Sequence, residues 1–136
     1  KRPVKALGIT KEHTCIMAKE RERVVHSGGY VENNRVCGIM EVTRSIGDKE
    51  LKEKGVISTP QIERITLCDR DELVILGCDG LWSVFDNKDA VDFAMERIEK
   101  GVPPDTVAME LVREAVRVRM SKDNVTALII RPRPPQ

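Results

Sequence analysis

The stretch "ELVILGC", residues 72–78, limits the fold of this chain more than any other. Its apolar residues run together instead of alternating, the pattern of a strand buried on both faces. The run then stops at Asp79 and Gly80, and Trp82, the only tryptophan of the chain, follows two residues later. A carboxylate at the end of a buried strand is held by rigid backbone among neighbours that do not solvate it, so it needs a cation, a donor network or water. Gly80 permits the turn, and Leu81 and Trp82 can anchor the next segment on the core. The plainer alternative is an Asp that caps the helical turn of "GLWSVF".

The elements around this strand are mixed. "AKERERVVHSGG" reads as a short polar helix stopped by Gly28 and Gly29. "RVCGIMEV", residues 35–42, and "QIERITL", residues 61–67, read as further strands. Over residues 88–100, Val91, Ala94, Met95 and Ile98 fall at helical spacing, with Asp86 or Asn87 as the cap. In "PPDTVAMELVREAVRVRM" the residues Ala108, Leu111, Val112 and Ala115 repeat that pattern, with prolines at the entrance. "NVTALII" then closes as a β-branched strand. Strands, a helical pair and a returning strand predict an α+β layered domain, and 136 residues suffice for one.

Composition excludes several functions. Aromatic residues make up only 3% of the chain, so the core is aliphatic and no stacking platform for nucleic acid is expected. The net charge is +1, with acidic and basic residues interspersed, so no field draws a polyanion. The basic start "KRPVK" and the Pro-rich tail, residues 131–136, read as solvated ends. Cys15, Cys37, Cys68 and Cys78 form no C-x-x-C pair, which predicts reduced thiols in an intracellular protein, cytoplasmic or nuclear, with no zinc site. No apolar run approaches the roughly 18 residues of a membrane span, and no signal-peptide pattern opens the sequence.

A second acid stands in similar circumstances. "SKDNVTALII" sets Asp123 and Asn124 directly before the closing strand. A helical hairpin that returns to the same sheet can bring Asp79 and Asp123 together. Two carboxylates sharing a site repel unless a proton or a metal intervenes, and oxygen ligands suit Mg²⁺ or Mn²⁺. Each acid alone is equally compatible with turn chemistry. Gly77 two positions before Asp79 removes the nucleophile that a D-x-D-G aspartyl phosphatase would need. No G-x-S-x-G elbow, phosphate loop or H-E-x-x-H is present, and His13 and His26 read as surface or satisfied residues.

"RVCGIMEVTRSIGD", "VISTPQIERITL", "DELVILGCDGLWSV" and "SKDNVTALII", in this order, resemble successive motifs of the metal-dependent Ser/Thr protein phosphatases, type 2C. "GITKEHTCIMAKERERVVHSGGYV" resembles the segment that precedes them. The resemblance runs from about Leu7 to Ile130 and covers the C-terminal half of that family's catalytic domain, so residues 1–136 are expected to be one part of one domain. It implies a partial two-sheet antiparallel β-sandwich flanked by helices, with two Mg²⁺ or Mn²⁺ ions at one end of the complete domain. A metal-bridging water there attacks the phosphorus of phosphoserine or phosphothreonine in proteins.

By this resemblance Asp79 and Asp123 match metal-binding aspartates. Gly80, Asn124, Asp48 and Gly47 match supporting positions, and Arg35, in the flap region, is a substrate-side candidate. The family's acid-Gly-His-Gly motif and its early phosphate-holding arginine have no counterpart here, so no catalytic residue beyond the metal ligands is identified. Two aspartates offset only half the charge of two divalent ions, and the chain alone is expected to be weak or inactive. Ser83 stands where similar proteins carry another aspartate, which puts a third metal position in doubt.

The expected partners are a phosphoprotein substrate and the N-terminal half of the same domain, with self-association through exposed sheet edges. The alternative function is a non-catalytic scaffold that binds or masks a phosphoprotein.

Overall fold

A computed structural model describes residues 4–132. They form two compact units: Ile9–Arg64, and residues 4–8 together with 65–132. Both mix helices with antiparallel strand pairs, as the α+β class requires. Of the Pro-rich tail, residues 133–136 lie outside the described residues.

In Ile9–Arg64 the helix α1 spans Ala18–His26. Strands β1, Val31–Glu32, and β2, Arg35–Val36, pair across Asn33 and Asn34, with φ of 50° and 61°. Two successive left-handed residues make the hairpin turn whose twist matches its strands, and asparagine tolerates that conformation. Left-handed Cys37 and Gly38 then end the ladder, so the strand expected over 35–42 stops at Val36. A short helix α2, Lys49–Lys52, follows.

The core of this unit is Cys15, Val24, Val36 and Val56. Beside it lies a buried carboxylate, Glu20, on α1. It accepts hydrogen bonds from Arg23 at 2.6 Å, Arg44 at 2.6 Å and Thr43 at 2.5 Å, and His13 Nδ1 stands 3.4 Å away. Arg23 also donates to the Gly55 carbonyl, and Arg44 to that of Thr59, so one acid joins four segments of chain. Burial pushes its pKa up, but the hydrogen bonds from Arg44, Arg23 and Thr43 outweigh burial and hold it well below the usual carboxylate range.

Residues 61–67 carry no strand. Their apolar side chains, Ile62, Ile65 and Leu67, are exposed, and among the described residues no neighbouring strand pairs with them. Alternation supplies a strand's shape, and a ladder partner is what makes it one.

In the other unit, β3, Val74–Gly77, pairs antiparallel with β4, Ala127–Ile130, from Val74 opposite Ile130 to Gly77 opposite Ala127. Between them run α3, Asp79–Trp82, α4, Asn87–Glu99, and α5, Pro104–Arg113. A wider π turn, Glu114–Val118, continues α5. The Asp86 side chain caps α4 by accepting from the Asp89 amide at 2.7 Å. Ala94, Met95 and Ile98 are buried as their spacing predicts, and so are Leu111 and Ala115.

Ile129 packs with Ala94, Ile98 and Val107, while Leu81, Phe85, Ala90, Leu111 and Ala115 form a second cluster. On the opposite face of the strand pair Leu76, Leu128 and Ile130 are 49%, 55% and 46% exposed. The strand expected to be buried on both faces is thus covered on one. The helices supply a single layer, and no described element of this unit lies over the other face.

Candidate metal centre

The register of β3 against β4 decides where the two acids fall. Gly77 lies opposite Ala127, and one residue further the Cys78 amide donates to the Thr126 carbonyl at 3.2 Å. Asp79 opens α3 directly after that point, and Asp123 lies four residues before β4. Both acids therefore stand at one end of the strand pair. The Cys78 thiol sits between the two chains, donating to the Asn124 carbonyl and accepting from the Thr126 amide, each at 3.2 Å.

Gly80 lets the two loops close on each other. A Cβ placed there would lie 2.2 Å from the Asn124 carbonyl oxygen and 3.4 Å from the Asp123 Cβ, so only glycine fits. The Gly80 carbonyl accepts from Ser121 Oγ at 2.7 Å and from Ser83 Oγ at 3.2 Å. From the other side Trp82 Nε1 donates to the Gly77 carbonyl at 2.9 Å, fixing α3 to the end of β3. The tryptophan is thus the packing and hydrogen-bonding anchor of the turn that carries Asp79.

The Asp79 and Asp123 side chains are both exposed. Each accepts the amide of its following residue through Oδ1, from Gly80 at 2.9 Å and from Asn124 at 2.7 Å. Among the described residues neither acid has an ion-pair partner. The pair therefore offers carboxylate oxygens with no cation of the protein's own to neutralise them, which suits a hard divalent ion. Among the described residues no three His, Cys, Asp or Glu side chains come together as a ligand group.

Other candidates lie apart in the chain. Gly47 and Asp48 belong to the unit Ile9–Arg64, at the entrance to α2, with φ of 91° and 49°. Arg35, also in that unit, donates to the Ile39 carbonyl and to Glu41, both at 3.0 Å, within its own loop. Ser121 was not among the expected site residues. A serine at the end of a helix reads as turn chemistry, and its bond to Gly80 spans 41 positions.

The second unit is thus a strand pair with helices on one face and two acids at one end, and the comparisons with known proteins say which family has this sequence and fold. The protein phosphatase 2C model matches residues 4–125. Probable protein phosphatase 2C 8 of Arabidopsis thaliana is 45% identical over 94% of this chain and 37% of its own length. Probable protein phosphatase 2C 67 of Oryza sativa subsp. japonica is 41% identical over 96% of this chain and 36% of its own length.

The crystal structure of serine-threonine phosphatase 2C from Toxoplasma gondii superposes with a TM-score of 0.73 at 26% identity, covering 89% of this chain and 45% of that one. The chain belongs to the protein phosphatase 2C family, and it spans little more than a third of the curated relatives it matches. Among the described residues no helix is long and apolar enough to cross a membrane.

Proposed function

We propose that this chain supplies the C-terminal part of the catalytic domain of a Mg²⁺- or Mn²⁺-dependent protein serine/threonine phosphatase. The observation that carries this reading is the closure of the Asp79 turn onto the Asp123 loop, through Gly80, in a chain of the phosphatase 2C family. Asp79 and Asp123 would hold the metal, with Gly80 and Asn124 shaping the loops that present them. A divalent ion bound there neutralises the phosphate oxygens of a phosphoserine or phosphothreonine side chain. The remaining ligands would come from the rest of the same domain, which is the partner we assign to the bare face of β3 and β4. Without that partner the same face favours self-association.

The chain's own residues do the positioning. Ser121 and Ser83 fix the Gly80 carbonyl, and Trp82 fixes Gly77, so the backbone on either side of Asp79 is tied at two points. Holding a ligand loop in place before the ion arrives lowers the ordering cost of binding.

One observation favours the scaffold alternative. Ser83 lies one helical turn after Asp79 and points its hydroxyl at the Gly80 carbonyl, where an aspartate would offer a further ligand.

Titrating Mn²⁺ into the ¹⁵N-labelled chain separates the two readings. Broadening confined to the amides around Gly80 and Asn124, and lost in both Asp79→Asn and Asp123→Asn, supports the phosphatase reading. Uniform or absent broadening on a folded chain makes the scaffold the better one.

A further inference from the structure

A shallow groove of about 220 Å³ runs between α4 and the end of α5, away from the two acids, and is lined by Phe93, Arg97, Arg113, Arg117 and Val118 together with Glu110 and Glu114. Its three arginines are in different states. Arg97 is fixed: its guanidinium stacks on the Phe93 ring at 3.3 Å, donates to Glu110 at 2.6 Å and reaches the Phe93 carbonyl at 3.0 Å. Glu114 faces Arg119, at 3.6 Å. Arg113 and Arg117, one helical turn apart and exposed, have no ion-pair partner among the described residues. The groove's own carboxylates are thus opposite other arginines, and two guanidinium groups are left over on one face. Val118, 65% exposed, adds an apolar contact beside them. The π turn lies within this lining, and such widened turns are frequent at functional sites.

We propose that this groove docks an acidic segment of a partner protein, with two carboxylates of the segment paired to Arg113 and Arg117 and an aliphatic side chain resting on Val118. Arginine presents a planar fork that matches a carboxylate in two parallel hydrogen bonds. Carboxylates fit better than a phosphate group, because Glu110 and Glu114 line the same groove and repel a dianion more strongly than a single charge. The groove contains neither Asp79 nor Asp123, so this docking stands whether or not the chain binds a metal.

The test is fluorescence anisotropy of the full chain with a fluorescein-labelled peptide of alternating glutamate and leucine, in EDTA so that no divalent ion bridges the two. Binding that weakens about tenfold in Arg113→Glu/Arg117→Glu, and falls as salt rises from about 50 to about 200 mM, is the expected result. Arg64→Glu, an exposed change elsewhere in the chain, is expected to leave it unaltered. The proposal is overturned if the glutamine version of the peptide binds equally well, if the double variant binds as the parent chain does, or if no binding is seen. A version carrying phosphoserine in place of glutamate that binds more tightly overturns the preference for carboxylates.

Discussion

Ser121 Oγ donates a 2.7 Å hydrogen bond to the carbonyl oxygen of Gly80, tying the loop that holds Asp123 to the turn that holds Asp79. The contact joins residues far apart in sequence and is one of two hydroxyl bonds to the same oxygen. Ser121→Ala is expected to cost about 1 kcal/mol of stability, a typical net value for such a bond. Urea unfolding measures this, and an unchanged midpoint would show that the Ser83 hydroxyl holds the carbonyl by itself.

Gly80→Ala is expected to do more, because the new Cβ meets backbone rather than a movable side chain. The two loops must separate, at a cost of about 2 kcal/mol in overpacking. Mn²⁺ affinity is expected to fall with stability, whereas Gly101→Ala, which has open space around its Cβ but is strained by its φ of 83°, is expected to cost stability and leave metal binding unaltered. Calorimetric titration of both variants distinguishes a local effect on the acids from a general loss of fold.

Glu20 makes the unit Ile9–Arg64 sensitive to acid. Its carboxyl lies below its unfolded value, since Arg44, Arg23 and Thr43 outweigh burial, with His13 also facing it. The folded state therefore binds fewer protons, and the stability this acid contributes is complete above its unfolded pKa, about 4.3, and is lost as pH falls below that. Glu20→Gln is expected to cost about 3 kcal/mol near neutral pH, because two guanidinium groups lose their counter-charge. The variant should also show a shallower loss of stability between about pH 5 and pH 2, read from thermal or denaturant midpoints. Parallel curves for parent and variant would sink this assignment.

Met120 adopts a left-handed conformation, φ 60°, while its side chain is 69% exposed. It closes the end of the π turn, where the Ser121 amide reaches back to the Ala115 carbonyl at 2.9 Å. A residue with a Cβ is strained there, and glycine is not. Met120→Gly is expected to raise stability by about 1 kcal/mol with no change in Mn²⁺ binding. A lower melting temperature would mean that the thioether packs more usefully than its exposure implies.

The parts of this structure that could be read from sequence are those where local pattern and tertiary contact agree. The helical spacing of Ala94, Met95 and Ile98, the Asp86 cap and the β-branched close of the chain all describe elements that pack as their patterns predict. The strand expected over 61–67 failed because alternation says nothing about a ladder partner. Glu20 was invisible for a different reason. It stands in the run Glu-Arg-Glu-Arg, and only contacts with Thr43 and Arg44 distinguish it from exposed Glu22. The Asn33-Asn34 turn did carry a legible hairpin signal, obscured because its strands are only two residues long. At the candidate site the acids announce themselves by type and position, whereas the fit of Gly80 against Asn124 belongs to three-dimensional packing alone.

The division of the chain has a consequence for synthesis. Ile9–Arg64 is continuous, whereas the other unit combines residues 4–8 with 65–132, and its β3 pairs with a strand that ends at Ile130. A ribosome adds about 5–20 residues per second, so the first unit can fold seconds before β4 has emerged. During that interval Val74 and Leu76 leave the exit tunnel without their partners. The acids at 79 and 123 thus become neighbours only after the whole segment through Ile130 has left the tunnel, and until then the turn at Asp79 has no second loop to close on.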